Sequence, residues 1–150
     1  VREIIEQAAI VYNSEKSGIL ELGGGVPKNT AQQTGPLLDQ ILRKDHGGQD
    51  YIIQITDARP DTGGLSGATL QEGKSWGKVQ DSHEDLITVY TDSTIAFPIL
   101  ALYALANEEP REPKRIYKDL GKFYQTLQES AIKVPEKFAE ILKKADIKID

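Results

Sequence analysis

The sequence predicts an α/β fold with a mostly parallel sheet, and two observations support this prediction. First, three short apolar segments, at residues 18–22, 51–56 and 86–90, have the composition of β-strands. Second, apolar residues recur at helical spacing in segments on both sides of these strands. Strands that alternate with helices favour a parallel sheet, since each helix returns the chain to the start of the next strand. The length of 150 residues fits one domain.

The first third of the chain is expected to contain two helices around the first strand. Apolar side chains at helical spacing over residues 2–14 predict an amphipathic helix. The first strand runs directly into Gly23-Gly24-Gly25, which is expected to be a turn. A second helix is expected over residues 31–43, and a Gly-Gly pair shortly after it marks its end.

The middle of the chain is expected to place a long loop between two strands. Residues 51–56 are nearly continuous in apolar and β-branched side chains, as in a buried parallel strand. A loop is expected from residue 57 to about residue 73, and loops of this length in a compact domain usually carry function. After the third strand, Asp92-Ser93-Thr94 is expected to cap a helix over residues 95–107.

The C-terminal part is expected to be a helical extension. The segment 108–113 contains two prolines and four charged residues, which is typical of a linker. Residues 114–130 and 135–146 then predict two amphipathic helices. We therefore divide the chain into residues 1–107 and an extension, residues 108–150, that packs on them.

Composition excludes several classes of function. Eighteen Lys and Arg residues against 23 Asp and Glu residues give a net charge of −5 without a basic stripe, so nucleic acid is not an expected partner. The absence of Cys excludes disulfides, thiolate ligands and a Cys nucleophile, and it fits a cytoplasmic protein. The longest apolar run, residues 95–106, contains Pro98 and is shorter than the roughly 18 residues of a membrane span, so no membrane association is expected. Because the chain contains no Met and begins inside an expected helix, we expect it to be part of a longer protein.

The unusual residues of this chain follow the carboxyl ends of the three expected strands. Ligands of open parallel sheets bind at that edge, so a bound ligand is expected there. Gly23-Gly24-Gly25 would allow a phosphate to approach the backbone closely, although three glycines in a turn are equally compatible with a structural role. Asp92-Ser93-Thr94 is compatible with helix capping, with hydrogen bonds to a ribose, or with both.

The segment from Glu72 to Lys78 combines the only Trp of the chain, Trp76, with a carboxylate and two lysines. An indole face attracts a cationic amine, and a lysine in an apolar environment can act as a nucleophile toward an imine or carbonyl carbon. The alternative is an ordinary surface lysine beside a packed Trp. Because neither His46 nor His83 has a ligand partner at suitable spacing, we expect both to be solvated and expect no metal site.

Five motifs resemble those of deoxyhypusine synthase and its relatives. They are Leu22-Gly-Gly-Gly-Val-Pro-Lys28, Asp50-Tyr51, Ser66-Gly67-Ala68, Ser75-Trp-Gly-Lys78 and Val89-Tyr90-x-Asp92. The resemblance covers residues 18–106 and implies a Rossmann-like fold of three layers, bound NAD, and a homotetramer with active sites between subunits. In that chemistry NAD oxidises spermidine to an imine, and a lysine captures the aminobutyl group with loss of diaminopropane. The group then passes to an acceptor amine.

The resemblance also implies roles for individual residues. Lys78 stands at the position of the catalytic lysine. The positions implied for polyamine binding are Glu72, Trp76, Asn29, Gly63 and Ser66. The positions implied for NAD binding are Gly24, Asp57, Ala58, Asp92 and Ser93, with Asp57 where the family often has Thr.

Two departures from the family pattern bear on the reaction. Asn29 and Thr30 follow Lys28 where the family has a pair of His, and Asn cannot act as a base near neutral pH. Leu65 replaces an Asp that binds an amine end of the substrate. This pattern resembles the bacterial deoxyhypusine synthase-like branch, so we expect an aminobutyl transferase that forms homospermidine from spermidine or putrescine. Protein-lysine modification, a catalytically silent protein that binds NAD or polyamine, and a purely structural α/β domain remain alternatives.

Overall fold

The computed structural model describes residues 2–44, 46–79 and 86–130. At its centre lies a three-stranded parallel sheet of order β1-β2-β3. The strands are β1 (Gly18–Leu22), β2 (Tyr51–Thr56) and β3 (Leu86–Tyr90). The expected α/β, Rossmann-like fold with a parallel sheet is confirmed, and each strand has the bounds that the sequence predicts.

Six α-helical segments surround this sheet in the described residues. They are α1 (Arg2–Tyr12), α2 (Gly25–Gln32), α3 (Thr34–Pro36), α4 (Leu70–Ser75), α5 (Ser93–Asn107) and α6 (Leu120–Ser130). A π-helical turn, Leu37–Ile41, follows α3. Single 3₁₀ turns occupy Pro60–Thr62, Leu65–Gly67 and Ile116–Lys118. The helix expected over residues 135–146 lies outside the described residues.

The strand β2 forms the buried centre of the sheet. Its residue Ile52 pairs with Ile19 of β1 and with Leu86 of β3, and the Ile52 side chain is completely buried. Ile52 packs in a cluster with Leu70 and Val79. These three side chains join β2 to α4 and to the segment that follows α4.

A second apolar cluster joins the two ends of the described chain. Ala8 and Ala9 of α1 pack with Leu38 and with Leu127 of α6, and all four side chains are buried. The small Ala side chains let the helix α6 approach α1 closely. The Asn13 amide nitrogen also donates to the Phe123 carbonyl oxygen at 3.2 Å. The helix α6 thus packs on the first helix of the chain.

The expected helix over residues 31–43 is wrong at both ends. The helix α2 begins six residues earlier, at Gly25, with Gly24 at its N-cap. Pro27 lies in the first turn, where a helix tolerates proline because the missing N–H has no partner within the helix. The regular helix also ends early, because the chain widens into the π-helical turn before Leu42.

The loop expected over residues 57–73 is also shorter than the sequence analysis indicated. The helix α4 begins at Leu70 because Thr69 and Glu72 form a capping box. The Thr69 hydroxyl accepts from the Glu72 N–H, and the Glu72 carboxylate accepts from the Thr69 N–H at 3.2 Å. The threonine and the glutamate are three residues apart, as this motif requires.

The helix α5 exposes its apolar side chains. It starts at Ser93, two residues before the expected start, because Asp92 itself is the N-cap. Ile99, Leu102 and Leu105 are 66%, 68% and 80% exposed. Contiguous apolar surface of this kind is typical of a contact face. No helix in the described ranges has the length and apolar character needed to cross a membrane.

The packing of α6 on α1 gives a test of the fold. Replacing Leu127 by Ala should lower the free energy of unfolding by about 2–5 kcal/mol, because it opens a cavity against Ala8 and Ala9. Replacing the exposed neighbour Gln128 by Ala should change that free energy by less than about 0.5 kcal/mol. Urea unfolding measures both values. Equal effects of the two substitutions would contradict this packing.

Candidate functional site

The three parallel strands end at one edge of the sheet, and this edge carries the candidate site. The Gly23 N–H donates to the Ile55 carbonyl at 2.8 Å, so the glycine turn begins beside the end of β2. The Thr91 N–H donates to the Thr56 carbonyl at 3.1 Å on the other side of β2. The segments that follow β1, β2 and β3 are therefore neighbours, as expected for a ligand-binding edge.

The glycine turn combines an unusual backbone with a close contact. Gly23 and Gly24 have φ values of 63° and 61°, which favour glycine because it lacks a Cβ atom. A Cβ atom on Gly25 would lie 2.7 Å from the Cβ atom of Leu65, so Gly25 is required by packing. No side chain caps the N-terminus of α2, whose first N–H groups begin at this turn. The turn thus has a structural role and also an N-terminus suited to a phosphate.

The backbone around Lys78 is held from several directions. The Lys78 N–H donates to the Gly73 carbonyl at 2.9 Å, and the Lys78 carbonyl accepts from the Gln49 N–H at 3.1 Å. Gly48 lies so close that a Cβ atom on it would be 2.6 Å from the Lys78 carbonyl carbon. Val79, the next residue, is buried in the cluster with Ile52 and Leu70. These contacts fix the direction in which the lysine leaves the backbone.

The Lys78 side chain ends on Asn29. Its Nζ donates to the Asn29 Oδ1 at 2.9 Å, and Lys78 is half-buried. The Asn29 Nδ2 in turn donates to the Gly25 carbonyl at 2.9 Å, one helical turn earlier in α2. Because its amide is held at both ends, Asn29 presents a fixed neutral acceptor to the lysine amine.

A cluster of three buried polar side chains lies beneath this pair. Glu21, Lys28 and Gln32 are each no more than 5% exposed. Lys28 and Gln32 are four residues apart and therefore share one face of α2. The Gln32 Nε2 donates to the Glu21 Oε1 at 2.5 Å, and the Lys28 Nζ donates to the Ala68 carbonyl at 2.5 Å. Lys28 thus joins α2 to the segment before α4.

Burial dominates the electrostatics of this cluster. Desolvation raises the pKa of Glu21, while the hydrogen bond from Gln32 and the positive charges of Lys28 and Lys78 oppose that rise. Desolvation lowers the pKa of Lys28, the charge of Glu21 opposes this change, and the charge of Lys78 adds to it. The more distant Glu72 carboxylate also raises the pKa of Lys28. Both lysines therefore interact with the same buried carboxylate.

Three buried residues of this region were not predicted from the sequence: Glu21, Gln32 and Gln54. Glu21 and Gln54 face each other in the register of β1 and β2, and both are buried. The Gln54 Nε2 donates to the carbonyls of Ser66 and Ala68 at 3.1 and 3.4 Å. The signal in the sequence was a Glu in β1 and a Gln in β2, each between apolar residues near the carboxyl end of its strand.

Comparison with known proteins identifies the family. A family model described as deoxyhypusine synthase matches residues 1–104. The chain belongs to the deoxyhypusine synthase family. A deoxyhypusine synthase-like protein of Thermosynechococcus vestitus is 47% identical over 135 residues, which are 85% of this chain and 34% of that protein.

Two further relatives support membership of the deoxyhypusine synthase family. A deoxyhypusine synthase-like protein of Nostoc punctiforme is 50% identical over 77% of this chain and 31% of its own length. A protein named probable deoxyhypusine synthase 2 in Methanosarcina acetivorans is 45% identical over 77% of this chain and 32% of its own length. The chain therefore spans about a third of the length of the curated relatives that it matches.

The other implied polyamine residues of the deoxyhypusine synthase motif lie around α4. Trp76 follows α4 as its C-cap, and its side chain is 65% exposed. Its carbonyl accepts from the Gln40 Nε2 at 3.1 Å. Glu72 is exposed and belongs to the capping box. Among the described residues, a cation–π contact joins the Lys16 Nζ to Tyr51, 5.7 Å from the ring centroid. The Trp76 indole makes no such contact with Lys78.

Gly63 and Ser66 lie in the two 3₁₀ turns before α4. Gly63 ends the first turn with a φ of 70°. Ser66 lies inside the second turn, and its carbonyl accepts the hydrogen bond from Gln54. Gly67 approaches the Arg59 carbonyl so closely that a Cβ atom there would be 2.5 Å from the oxygen. These contacts hold the turns against the end of β2.

The residues implied for NAD occupy the ends of all three strands. Gly24 follows β1, the exposed Asp57 and then Ala58 follow β2, and Asp92 and Ser93 follow β3. The Ala58 N–H donates to the Thr56 hydroxyl at 3.1 Å. Exposed carboxylates can accept hydrogen bonds from ribose hydroxyls, and the N-terminus of α2 suits a phosphate. Together these groups fit a dinucleotide.

Asp92 has an observed structural role as well. Its Oδ1 accepts from the Thr94 N–H at 2.8 Å and from the Thr94 hydroxyl at 2.7 Å. These hydrogen bonds lower the pKa of Asp92. Helix capping is therefore present, and it leaves open the role in ribose binding that the sequence also allowed.

The two His residues carry little further information. His46 is half-buried with its Nδ1 shielded from solvent, so the expectation that it is solvated is wrong. His83 lies outside the described residues. Within residues 2–44, 46–79 and 86–130, no group of three or more His, Asp or Glu side chains is placed to hold a metal ion.

The buried position of Glu21 predicts a pH dependence of stability. Because burial raises the pKa of Glu21 above its ordinary value of 4.5, the folded chain binds this proton more tightly than the unfolded chain. The contribution of Glu21 is therefore fully present below that value and is lost as pH rises through the raised pKa. As pH rises above the usual range for a carboxyl group, the stability of the wild type relative to Glu21→Gln should therefore fall.

Urea unfolding at several pH values measures this difference. Replacing Gln32 by Met should move the decline to higher pH, because the Gln32 hydrogen bond lowers the pKa of Glu21. If the wild type instead became more stable relative to Glu21→Gln as pH rises, the assignment would be contradicted.

Proposed function

We propose that the protein containing this chain is an NAD-dependent aminobutyl transferase that acts on a polyamine through an imine at Lys78. The observation that carries this proposal is the hydrogen bond between the Lys78 Nζ and the Asn29 Oδ1, which joins the segment after α4 to the helix that follows the glycine turn. A half-buried lysine amine held by a neutral hydrogen-bond acceptor is suited to nucleophilic attack. Membership of the deoxyhypusine synthase family supports the same chemistry.

The chain supplies the nucleophile and its orientation. The neutral Lys78 amine forms a bond to the imine carbon of the oxidised spermidine, and the bond from that carbon to the diaminopropane nitrogen breaks. Diaminopropane leaves with the two protons that the Lys78 nitrogen loses, so that the aminobutyl group is held as an imine on Lys78. The acceptor amine then attacks the same carbon, and Lys78 leaves as a free amine. Asn29 accepts a hydrogen bond from the amine before attack and after release.

The cofactor would lie along the ends of the three strands. When bound, NAD would accept a hydride from the polyamine carbon and return it to the final imine. Asp57 and Asp92 would hold ribose hydroxyls, and Gly24 with the N-terminus of α2 would face a phosphate. Ala58 and Ser93 complete the implied lining.

We propose homospermidine formation, with putrescine as the acceptor amine. Leu65, whose side chain is 51% exposed, packs on Gly25 and provides no carboxylate for a substrate ammonium. Asn29 is held by hydrogen bonds to Lys78 and Gly25, and it is not a base. Two cyanobacterial relatives are named deoxyhypusine synthase-like protein, which fits a branch with altered specificity.

A second candidate is modification of a protein lysine. The relative in Methanosarcina acetivorans, at 45% identity, is named probable deoxyhypusine synthase 2, which favours this alternative. A silent homologue that binds NAD or polyamine without transfer is the third. In each case we propose a cytoplasmic homotetramer, and the exposed apolar side chains of α5 are compatible with burial between subunits.

Peptide mass spectrometry after treatment of the full-length protein distinguishes these candidates. The protein is incubated with NAD and spermidine, with and without putrescine, and then reduced with borohydride. An aminobutyl adduct on Lys78 that putrescine depletes, with homospermidine appearing, is the expected result. An adduct that putrescine leaves unchanged favours a protein lysine as acceptor. The absence of an adduct in protein that still binds NAD favours the silent homologue.

Replacing Lys78 by Arg should abolish transfer and leave NAD binding nearly unchanged, because Arg keeps the positive charge but cannot form the imine. The matched control is Lys74→Arg, which changes a lysine of α4 in the same way. That control should retain turnover. Product formation by Lys78→Arg at the wild-type rate would exclude the proposed mechanism.

Replacing Asn29 by Ala should slow adduct formation on Lys78 by roughly tenfold or more, because the amine loses its fixed hydrogen-bond acceptor. Single-turnover trapping with borohydride measures this rate. The control Asn107→Ala removes an exposed amide at the end of α5 and should leave the rate unchanged. An Asn29→Ala variant with the wild-type trapping rate would show that this hydrogen bond does not orient the nucleophile.

A further inference from the structure

We propose that Gln40 is a positioning residue for the nucleophile, because it holds the short turn from Trp76 to Lys78. This inference rests on the proposed function, in which Lys78 attacks the oxidised polyamine. Gln40 lies in the π-helical turn Leu37–Ile41, and its Nε2 donates to the Trp76 carbonyl at 3.1 Å. Trp76 and Lys78 stand on either side of Gly77. The contact therefore acts on the turn that carries both side chains.

The turn that carries Lys78 ends α4 as a Schellman motif. The Gly77 N–H donates to the Lys74 carbonyl at 3.0 Å. The Lys78 N–H donates to the Gly73 carbonyl at 2.9 Å, which completes the pair of hydrogen bonds of this motif. Gly77 has a φ of 68°, the left-handed conformation that the motif requires. These bonds hold the N–H groups of the turn, so the carbonyl groups of Trp76 and Gly77 depend on other parts of the chain.

The helical segment after α2 contacts these two carbonyl groups. Gln40 donates to the first, that of Trp76. The second, that of Gly77, lies against Gly35 of α3, where a Cβ atom on Gly35 would be 2.7 Å from the oxygen. The same Cβ atom would be 3.4 Å from the Lys78 Cα atom. Each of the two peptide groups between Trp76 and Lys78 is therefore held by α4 on its N–H side and contacted by this segment on its carbonyl side.

The Gln40 hydrogen bond selects one orientation of a peptide group that borders a glycine. Glycine adopts positive and negative φ values at similar cost, so the peptide group between Trp76 and Gly77 can rotate more freely when its carbonyl has no donor. Such a rotation would turn the Trp76 indole relative to the Lys78 amine. Nucleophilic attack needs the reacting atoms in a narrow range of geometry, and a small misplacement lowers the rate. Loss of the Gln40 donor should therefore slow the covalent step.

Single-turnover trapping of the full-length protein with NAD, saturating spermidine and borohydride tests the proposal. The amplitude of the Lys78 adduct counts the folded sites, and the rate constant reports how well the reacting groups are placed. Gln40→Met has a side chain of similar length that cannot donate, so it should lower the rate constant by roughly three- to tenfold and keep the amplitude. Gln40→Lys restores a donor and should recover most of the lost rate.

Gln125→Met is the matched control, because the exposed Gln125 Nε2 donates to the Glu129 Oε1 at 2.8 Å within α6. This control should keep the wild-type rate constant and amplitude. The proposal is wrong if Gln40→Met reacts with the wild-type rate constant, or if it loses amplitude while the rate constant stays the same. It is also wrong if Gln40→Lys is as slow as Gln40→Met, since the donor would then not be the property that matters.

Amide hydrogen exchange of the peptide that contains Gly77 and Lys78 gives a second readout, which does not depend on transfer. Both amide protons should exchange faster in Gln40→Met than in the wild type, and Gln125→Met should leave them unchanged. Faster exchange in a protein whose Lys78 forms no aminobutyl adduct would support the holding contact and exclude the proposed function. An adduct on Lys78 combined with unchanged exchange and an unchanged rate constant in Gln40→Met would exclude the role of Gln40 and keep the nucleophile.

Discussion

The parallel pairing of β2 with both of its neighbours is the constraint on which the candidate site depends. Because all three described strands run in the same direction, the segments that follow them emerge at one edge. The glycine turn, the two 3₁₀ turns and the start of α5 meet there, although they are separated by up to about 70 residues of sequence. Lys78 comes from a fourth segment, which Gly48 and Gln49 hold just before the start of β2, and its side chain reaches Asn29 on α2.

The sequence predicted those features that depend on local composition. Strand bounds followed from runs of apolar and β-branched side chains, and the helical cap at Asp92 followed from its residue type. The helix starts at Gly25 and Leu70 were missed, although their signals were present as a proline in a first turn and as a Thr-x-x-Glu capping box. Those signals were read as parts of loops because the glycines and prolines around them dominated the local pattern.

The buried cluster could not be predicted in the same way. That Glu21 faces Lys28 and Gln32 depends on how α2 lies across β1, which no local pattern contains. The pairing of Lys78 with Asn29 joins residues 49 positions apart and depends on the close backbone contact at Gly48. The family resemblance drew attention to Lys78 and Asn29 separately, and the folded chain brought their side chains together.

The acceptor for the lysine amine has a property with a wider consequence. An amide oxygen keeps its hydrogen-bonding character at every pH at which the protein is folded, whereas an imidazole changes from acceptor to donor as it gains a proton. The position of the Lys78 amine is thus uncoupled from the protonation of the residue that holds it. In such a site, proton uptake and release would pass through groups other than Asn29. A solvent isotope effect on the reaction would then not originate at the residue that holds the lysine.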